Sequence, residues 1–128
     1  KLELFADLRL LHAGVHFAGQ AFLLDDERGI LFCGDALKFD LDRNDPRRAI
    51  AISSHKSFVR SVPLTPKETE RYRETFGKCN FAKTYSPFEQ VHNVGSDIVE
   101  RFLLCLIDSY PQPNFIEISS LDTEAPCE

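Results

Sequence analysis

The sequence predicts an α/β fold, a mostly antiparallel sheet with two helices on one face, and three observations lead there. The first third of the chain holds short apolar runs, DLRLLHA, AFLLD and ILFC, with the polar turn DDERG between the last two. Residues 64–68, Leu-Thr-Pro-Lys-Glu, carry a helix start signal. Beyond Ser96, the residues Ile98, Phe102, Cys105 and Leu106 recur at helical spacing. With 128 residues, 43% of them hydrophobic and eleven of them Phe, the chain is expected to build one core.

Residues 1–13 read as one strand or two, with Leu4, Phe5, Leu8, Leu10 and Leu11 as core candidates. After Gly19, Ala21 to Asp25 and Ile30 to Cys33 form a hairpin whose loop holds Asp26 and Gly29, and both of its strands look buried on two faces. Asp40 to Arg48, charged and containing Pro46, reads as a loop or a single turn, with Arg43, Arg47, Arg48, Lys56 and Arg60 solvated. AIAIS, residues 49–53, is a short strand-like run. Thr65 can cap a helix, Pro66 suits its first position and Glu68 can return a bond to the cap; the helix should run to Phe76 and end at Gly77 as the left-handed residue after the cap. Tyr72 and Phe76, four apart, share its inward face. Phe81 to Tyr85 is the next strand. Ser96 is a candidate N-cap for a final helix with Asp97 in its first turn, and Pro111 lies beyond its end. The domain is expected over residues 1–111, followed by a tail, 112–128, in which NFIEIS could add an edge strand before a poorly ordered end.

A net charge of −5 argues against a general nucleic-acid or anionic-membrane surface, which needs clustered Lys and Arg. No apolar run reaches transmembrane length. The four cysteines, Cys33, Cys79, Cys105 and Cys127, show no C-x-x-C spacing. Cys33 and Cys105 are expected as small buried hydrophobes in a reducing, cytoplasmic setting.

The chemistry-bearing residues cluster between Leu10 and Asp40. His12-Ala13-Gly14-Val15-His16-Phe17-Ala18-Gly19 resembles the H-T-x-G-H-x-P-G segment of metallo-β-lactamase-fold hydrolases, and Leu31-Phe32-Cys33-Gly34-Asp35-Ala36-Leu37 is similar to their L-F-x-G-D-x-L segment. The resemblance implies metal ligation by His16 and by Asp35, whose carboxylate would bridge two ions, with zinc, or iron or manganese, as the metal; His12 takes no metal role. It implies an αββα sandwich of two similar halves, of which this chain is the C-terminal one. The family's first metal motif, H-x-H-x-D-H, does not occur in the sequence. The chain is thus expected to be either part of a longer protein or a half-fold that has lost the site. The family's last histidine, expected in the turn after the Phe81–Tyr85 strand, is also missing: that turn reads Ser86-Pro87-Phe88-Glu89. Glu89, His92 and His55 remain as further candidate ligands, each with an ordinary alternative as a surface carboxylate or a solvated loop histidine.

Three functions follow from the resemblance and its gaps. The first is a metal-dependent hydrolase of esters, thioesters or related bonds, incomplete in this chain alone. The second is a metal-free homodimer using the half-fold as a structural or ligand-binding module. The third is a protein-interaction adaptor. The exposed apolar face of a lone half-sheet costs about 25 cal/mol for each Å² left in water, so the missing half or a second copy is the expected partner.

Overall fold

The computed structural model describes residues 2–5, 8–55, 62–109, 113 and 115–121. Lys56, Arg60, Pro111, Cys127 and the end of the tail from residue 122 lie outside these, as do the side chains of Leu4 and Phe5.

Strands β1 (Leu2–Phe5), β2 (Leu8–His12), β3 (Ala21–Asp25) and β4 (Ile30–Phe32) form an antiparallel meander. The hairpin between β3 and β4 turns through Gly29, at φ +65°, a conformation that favours glycine. Asp25 anchors the turn by accepting from the Arg28 amide at 3.1 Å and from its guanidinium at 3.0 Å.

The stretch expected as a charged loop is a second hairpin, β5 (Lys38–Asp42) and β6 (Asp45–Ser53). Its charges clamp the turn: Asp42 accepts from the Asn44 amide at 2.9 Å and pairs with Arg48 at 2.8 Å. Phe39, Ala49 and Ile52 supply the buried residues. Pro46 is tolerated because β6 meets its other neighbour, β9 (Ile116–Glu117), only at Ala51 and Ile52.

Helix α1 (Pro66–Phe76) starts with the full capping box, Thr65 accepting from the Glu68 amide and Glu68 accepting from the Thr65 amide. Its end departs from expectation. Gly77 is right-handed at φ −64°, and a Cβ there would stand 3.0 Å from the Arg73 carbonyl, a tight contact. A helical crossover returns the chain parallel to the strand it left, and β7 (Lys83–Tyr85) accordingly pairs parallel with β4. Strand β8 (Gln90–Val91) then folds back on β7. It is too short to carry a periodic signal in the sequence.

Helix α2 (Ser96–Asp108) is capped by Gly95 rather than Ser96. The Ser96 hydroxyl accepts instead from the Phe81 amide at 2.7 Å, joining the helix to the approach to β7. The expected edge strand is β9, two residues long. The fold is thus mixed α/β with two helices and two mostly antiparallel sheets, one ordered β1-β2-β3-β4-β7-β8 and one ordered β5-β6-β9.

The six-stranded sheet has unequal faces. Leu11, Phe22, Leu24, Leu31, Thr84 and Val91 face the core. There α1 lays Phe76 on Phe22 at 4.4 Å between ring centroids and Tyr72 at 5.9 Å, with α2 packed beside it. On the opposite face the row Leu10, Leu23, Phe32, Tyr85 runs across four strands in register, half-buried to exposed, with Phe32 37% exposed. The expectation that the β3–β4 hairpin is buried on two faces therefore fails, since Leu23 is half-buried and Phe32 exposed. Cys33 and Cys79 are buried free thiols, whereas Cys105 is disulfide-bonded, correcting its expected free state; its partner lies outside the described residues.

Candidate functional site

The register of the six-stranded sheet collects three connections at one end. His12 pairs with Ala21, Leu23 with Phe32, and Phe32 with Tyr85, so loop 13–20, the turn after β4 and the turn after β7 share a rim. The Cys33 amide, donating to the Tyr85 carbonyl at 2.9 Å, ties two of them together. The end of β6 joins the same rim, where the Ser54 hydroxyl donates to the Ala36 carbonyl at 2.7 Å. His16, Asp35, His55 and Glu89 are thereby gathered from four separate stretches of sequence.

The His16 loop is built on hydrogen bonds. The amides of Ala13 and Gly14 both donate to the Gln20 carbonyl, at 2.9 and 3.1 Å. His12 Nε2–H donates to the Ala18 carbonyl at 2.7 Å, so this ring closes the loop rather than facing a ligand. Gly14, at φ +66°, passes beneath it, where a Cβ would meet the His12 ring at 2.9 Å. His16 Nδ1 lies 3.1 Å from the His55 carbonyl oxygen. A carbonyl only accepts, so Nδ1 donates the proton; in a neutral ring that is the tautomer of a metal-ligating histidine held by an outer partner.

Asp35 sits half-buried in a single 3₁₀ turn, Gly34–Ala36, entered through Gly34 at φ +57°. Its charge, with that of Glu89, reaches the buried Cys33 thiol. Burial is the larger influence, and together they push that thiol up to about 12, so Cys33 stays protonated and is no nucleophile. Glu89 is half-buried, accepting from the Ser86 hydroxyl and from the Phe39 amide at 3.4 Å. A carboxylate thus stands in the turn where the resemblance places a histidine.

His55 is not a solvated loop residue. It is 4% exposed and forms an isolated bridge with Pro63, and its carbonyl oxygen is the one that accepts from His16. His92 is placed elsewhere: it follows Val91, the partner of Thr84, and so lies back along β7 from the rim, exposed and stacked on Tyr85 at 6.5 Å. Among the described residues no group of three or more His, Cys, Asp or Glu is close enough to hold a metal ion.

Two residues absent from the sequence reading of the site support it. Gln20 is 3% exposed, and its side-chain oxygen accepts from the amides of Val15 and His16, at 3.0 and 2.8 Å. Its nitrogen donates to the Tyr72 hydroxyl at 2.9 Å. A lone glutamine after a glycine carries no sequence signal for such a role. Burial pushes the Tyr72 phenol up, keeping it a neutral partner.

Two clefts lie away from the rim, one of about 550 Å³ between α1 and α2 beside Arg73 and Glu100, and one of about 520 Å³ beside Ile50 and Phe115. Among the described residues no helix is long and apolar enough to cross a membrane. Compared with protein-family models, curated proteins and solved structures, the chain matches none.

Proposed function

We propose that the rim is part of the site of a metal-dependent hydrolase of the metallo-β-lactamase kind, acting on an ester, thioester or related bond, with its remaining ligands supplied by a partner half or a second copy. The observation that carries this reading is the His16 Nδ1–H bond to the His55 carbonyl, the way a metal-bound imidazole is held from behind, on the rim that also holds Asp35. An imidazole nitrogen and a carboxylate oxygen suit zinc, and equally iron or manganese. When bound, such a metal lowers the pKa of a water so that hydroxide is available near neutral pH. The chain's own residues orient and charge the site: His55 fixes the imidazole, and Asp35 contributes the anionic oxygen. Glu89 stands on the same rim as a further oxygen donor. Two ligands fall short of the three protein ligands usual for catalytic zinc, hence the partner.

Elemental analysis of the purified chain and of a His16→Ala, Asp35→Ala double variant tests this. Near-stoichiometric zinc, iron or manganese that is lost in the variant supports the reading. An empty protein whose variant is equally stable and equally assembled refutes it for this chain.

A second reading, a metal-free homodimeric half-fold with His16 and Asp35 as relics, is favoured by the half-exposed row Leu10, Leu23, Phe32, Tyr85. A homodimer without metal in solution selects it; a monomer without metal leaves a protein-interaction adaptor. A reducing, cytoplasmic location is expected from the cysteine usage, and the disulfide at Cys105 weighs against it, since disulfides persist mainly in oxidising compartments.

A further inference from the structure

We infer that Gln20 is a positioning residue for His16 and that Tyr72 locks it in place, so that helix α1 sets the tautomer of the proposed ligand. The inference rests on the reading of His16 as a ligand, but it makes a claim about the metal-free chain. Gln20 lies on the side of the loop away from solvent, and its amide orientation is fixed by its surroundings: two backbone N–H groups, of Val15 and His16, meet one side-chain atom, which must be the acceptor oxygen. The amide nitrogen then faces the Tyr72 hydroxyl at 2.9 Å, and the hydroxyl itself stands 3.1 Å from the same oxygen. Tyr72 is 0% exposed and held between Phe22 and Phe76, so it is a fixed post rather than a mobile tip.

The consequence for His16 is geometric. One end of the residue, its backbone amide, is held by Gln20, and the other, its Nδ1–H, by the His55 carbonyl. Without Gln20 the amides of Val15, which is buried, and of His16, which is half-buried, lose their shared acceptor, and the loop must move to satisfy them. That movement carries the imidazole away from the His55 carbonyl. A histidine released in this way loses its reason to keep the proton on Nδ1.

The test reads the His16 ring by long-range nitrogen–proton NMR correlation on metal-free protein, in the native chain and in Gln20→Leu, Gln20→Glu and Tyr72→Phe. The native ring is expected as a single Nδ1–H species. Gln20→Leu, which has no acceptor, should convert it to a mixture rich in Nε2–H, while His12, whose Nε2–H closes the loop onto Ala18, keeps its tautomer. Gln20→Glu retains an acceptor for both amides and should restore the Nδ1–H species. Tyr72→Phe leaves that acceptor in place and should produce a smaller change of the same sign. If Gln20→Leu does not fold, Tyr72→Phe and Gln20→Glu carry the test. An Nδ1–H species that persists in Gln20→Leu, or in Tyr72→Phe without any change of His16 shifts, overturns the inference. So does a native ring that is not Nδ1–H. Failure of the hydrolase reading looks different: a protein that takes up no zinc although its His16 tautomer is intact and depends on Gln20.

Discussion

Replacing Phe22 and Phe32 by alanine removes the same side chain from opposite faces of one sheet, and the two costs should differ severalfold. Phe22 is 0% exposed and stacked on Phe76 at 4.4 Å. Its removal leaves a cavity under α1 lined by rings that cannot collapse, so the loss belongs with buried Phe→Ala changes, about 3–5 kcal/mol. Phe32 is 37% exposed and touches Tyr85 edge-on at 5.4 Å. Full burial of such a side chain is worth about 1.5–3 kcal/mol, and here part of it is already in water and no closed cavity forms, which leaves about 1 kcal/mol. Urea unfolding at two protein concentrations measures both. Against a typical total of about 5–15 kcal/mol, Phe22→Ala should shift the midpoint strongly with an unchanged slope. Equal losses for the two variants would refute the assignment of an uncovered face. A Phe32→Ala loss that grows with protein concentration would mean that a second copy covers it.

Other outcomes follow from single sites. Thr65→Ala breaks the capping box of α1 and should cost about 1 kcal/mol in the same assay. Gly34→Ala meets no atom within 4 Å, so its cost of about 1 kcal/mol is conformational, from holding alanine at φ +57°, and a loss near zero would show that the turn at Asp35 relaxes. The Arg28 amide and guanidinium hold the Asp25 carboxyl below its ordinary value of 3.8. Its contribution is therefore present above that value and lost as pH falls through the lower folded one, so Asp25→Asn should flatten the acid limb of stability against pH. Iodoacetamide at pH 8 should leave Cys33 unmodified in the folded protein, because its thiol is pushed up to about 12; in denaturant without reductant Cys33 and Cys79 should react, and Cys105 only after reduction, as read by mass spectrometry.

Local rules of short range were legible in the sequence. The β3–β4 hairpin and the start of α1 stand where turn chemistry and the Thr65–Glu68 pair put them. What failed were features decided by neighbours distant in sequence. Ser96 has the chemistry of an N-cap, yet Phe81, fifteen residues earlier, takes its hydroxyl. Gly77 has the chemistry of a left-handed cap, yet it ends the helix right-handed, its amide donating back to the Arg73 carbonyl. Asp42 and Arg48 read as solvated charges because nothing in their spacing shows that a turn brings them together.

The same division runs through the candidate site. His16 and Asp35 could be named because each sits in a short segment with glycines at characteristic places. Their arrangement depends on contacts the segments do not contain: the carbonyl of His55, thirty-nine residues away, and the side chain of Gln20, anchored on Tyr72 fifty-two residues away. One support lies just beyond β6 and the other is anchored on α1, both elements that pack the core. Mutations that loosen the core under α1 should therefore reach His16 before they unfold the chain, since the Phe22, Tyr72 and Phe76 cluster is also the base on which Gln20 stands. A rim held this way is rigid on the side of loop 13–20. At the other end of the rim, Glu89 is held mainly by its own turn through Ser86, and its contact with the Phe39 amide is long at 3.4 Å. On the proposed reading, that is the end where ligands from a partner would be accommodated.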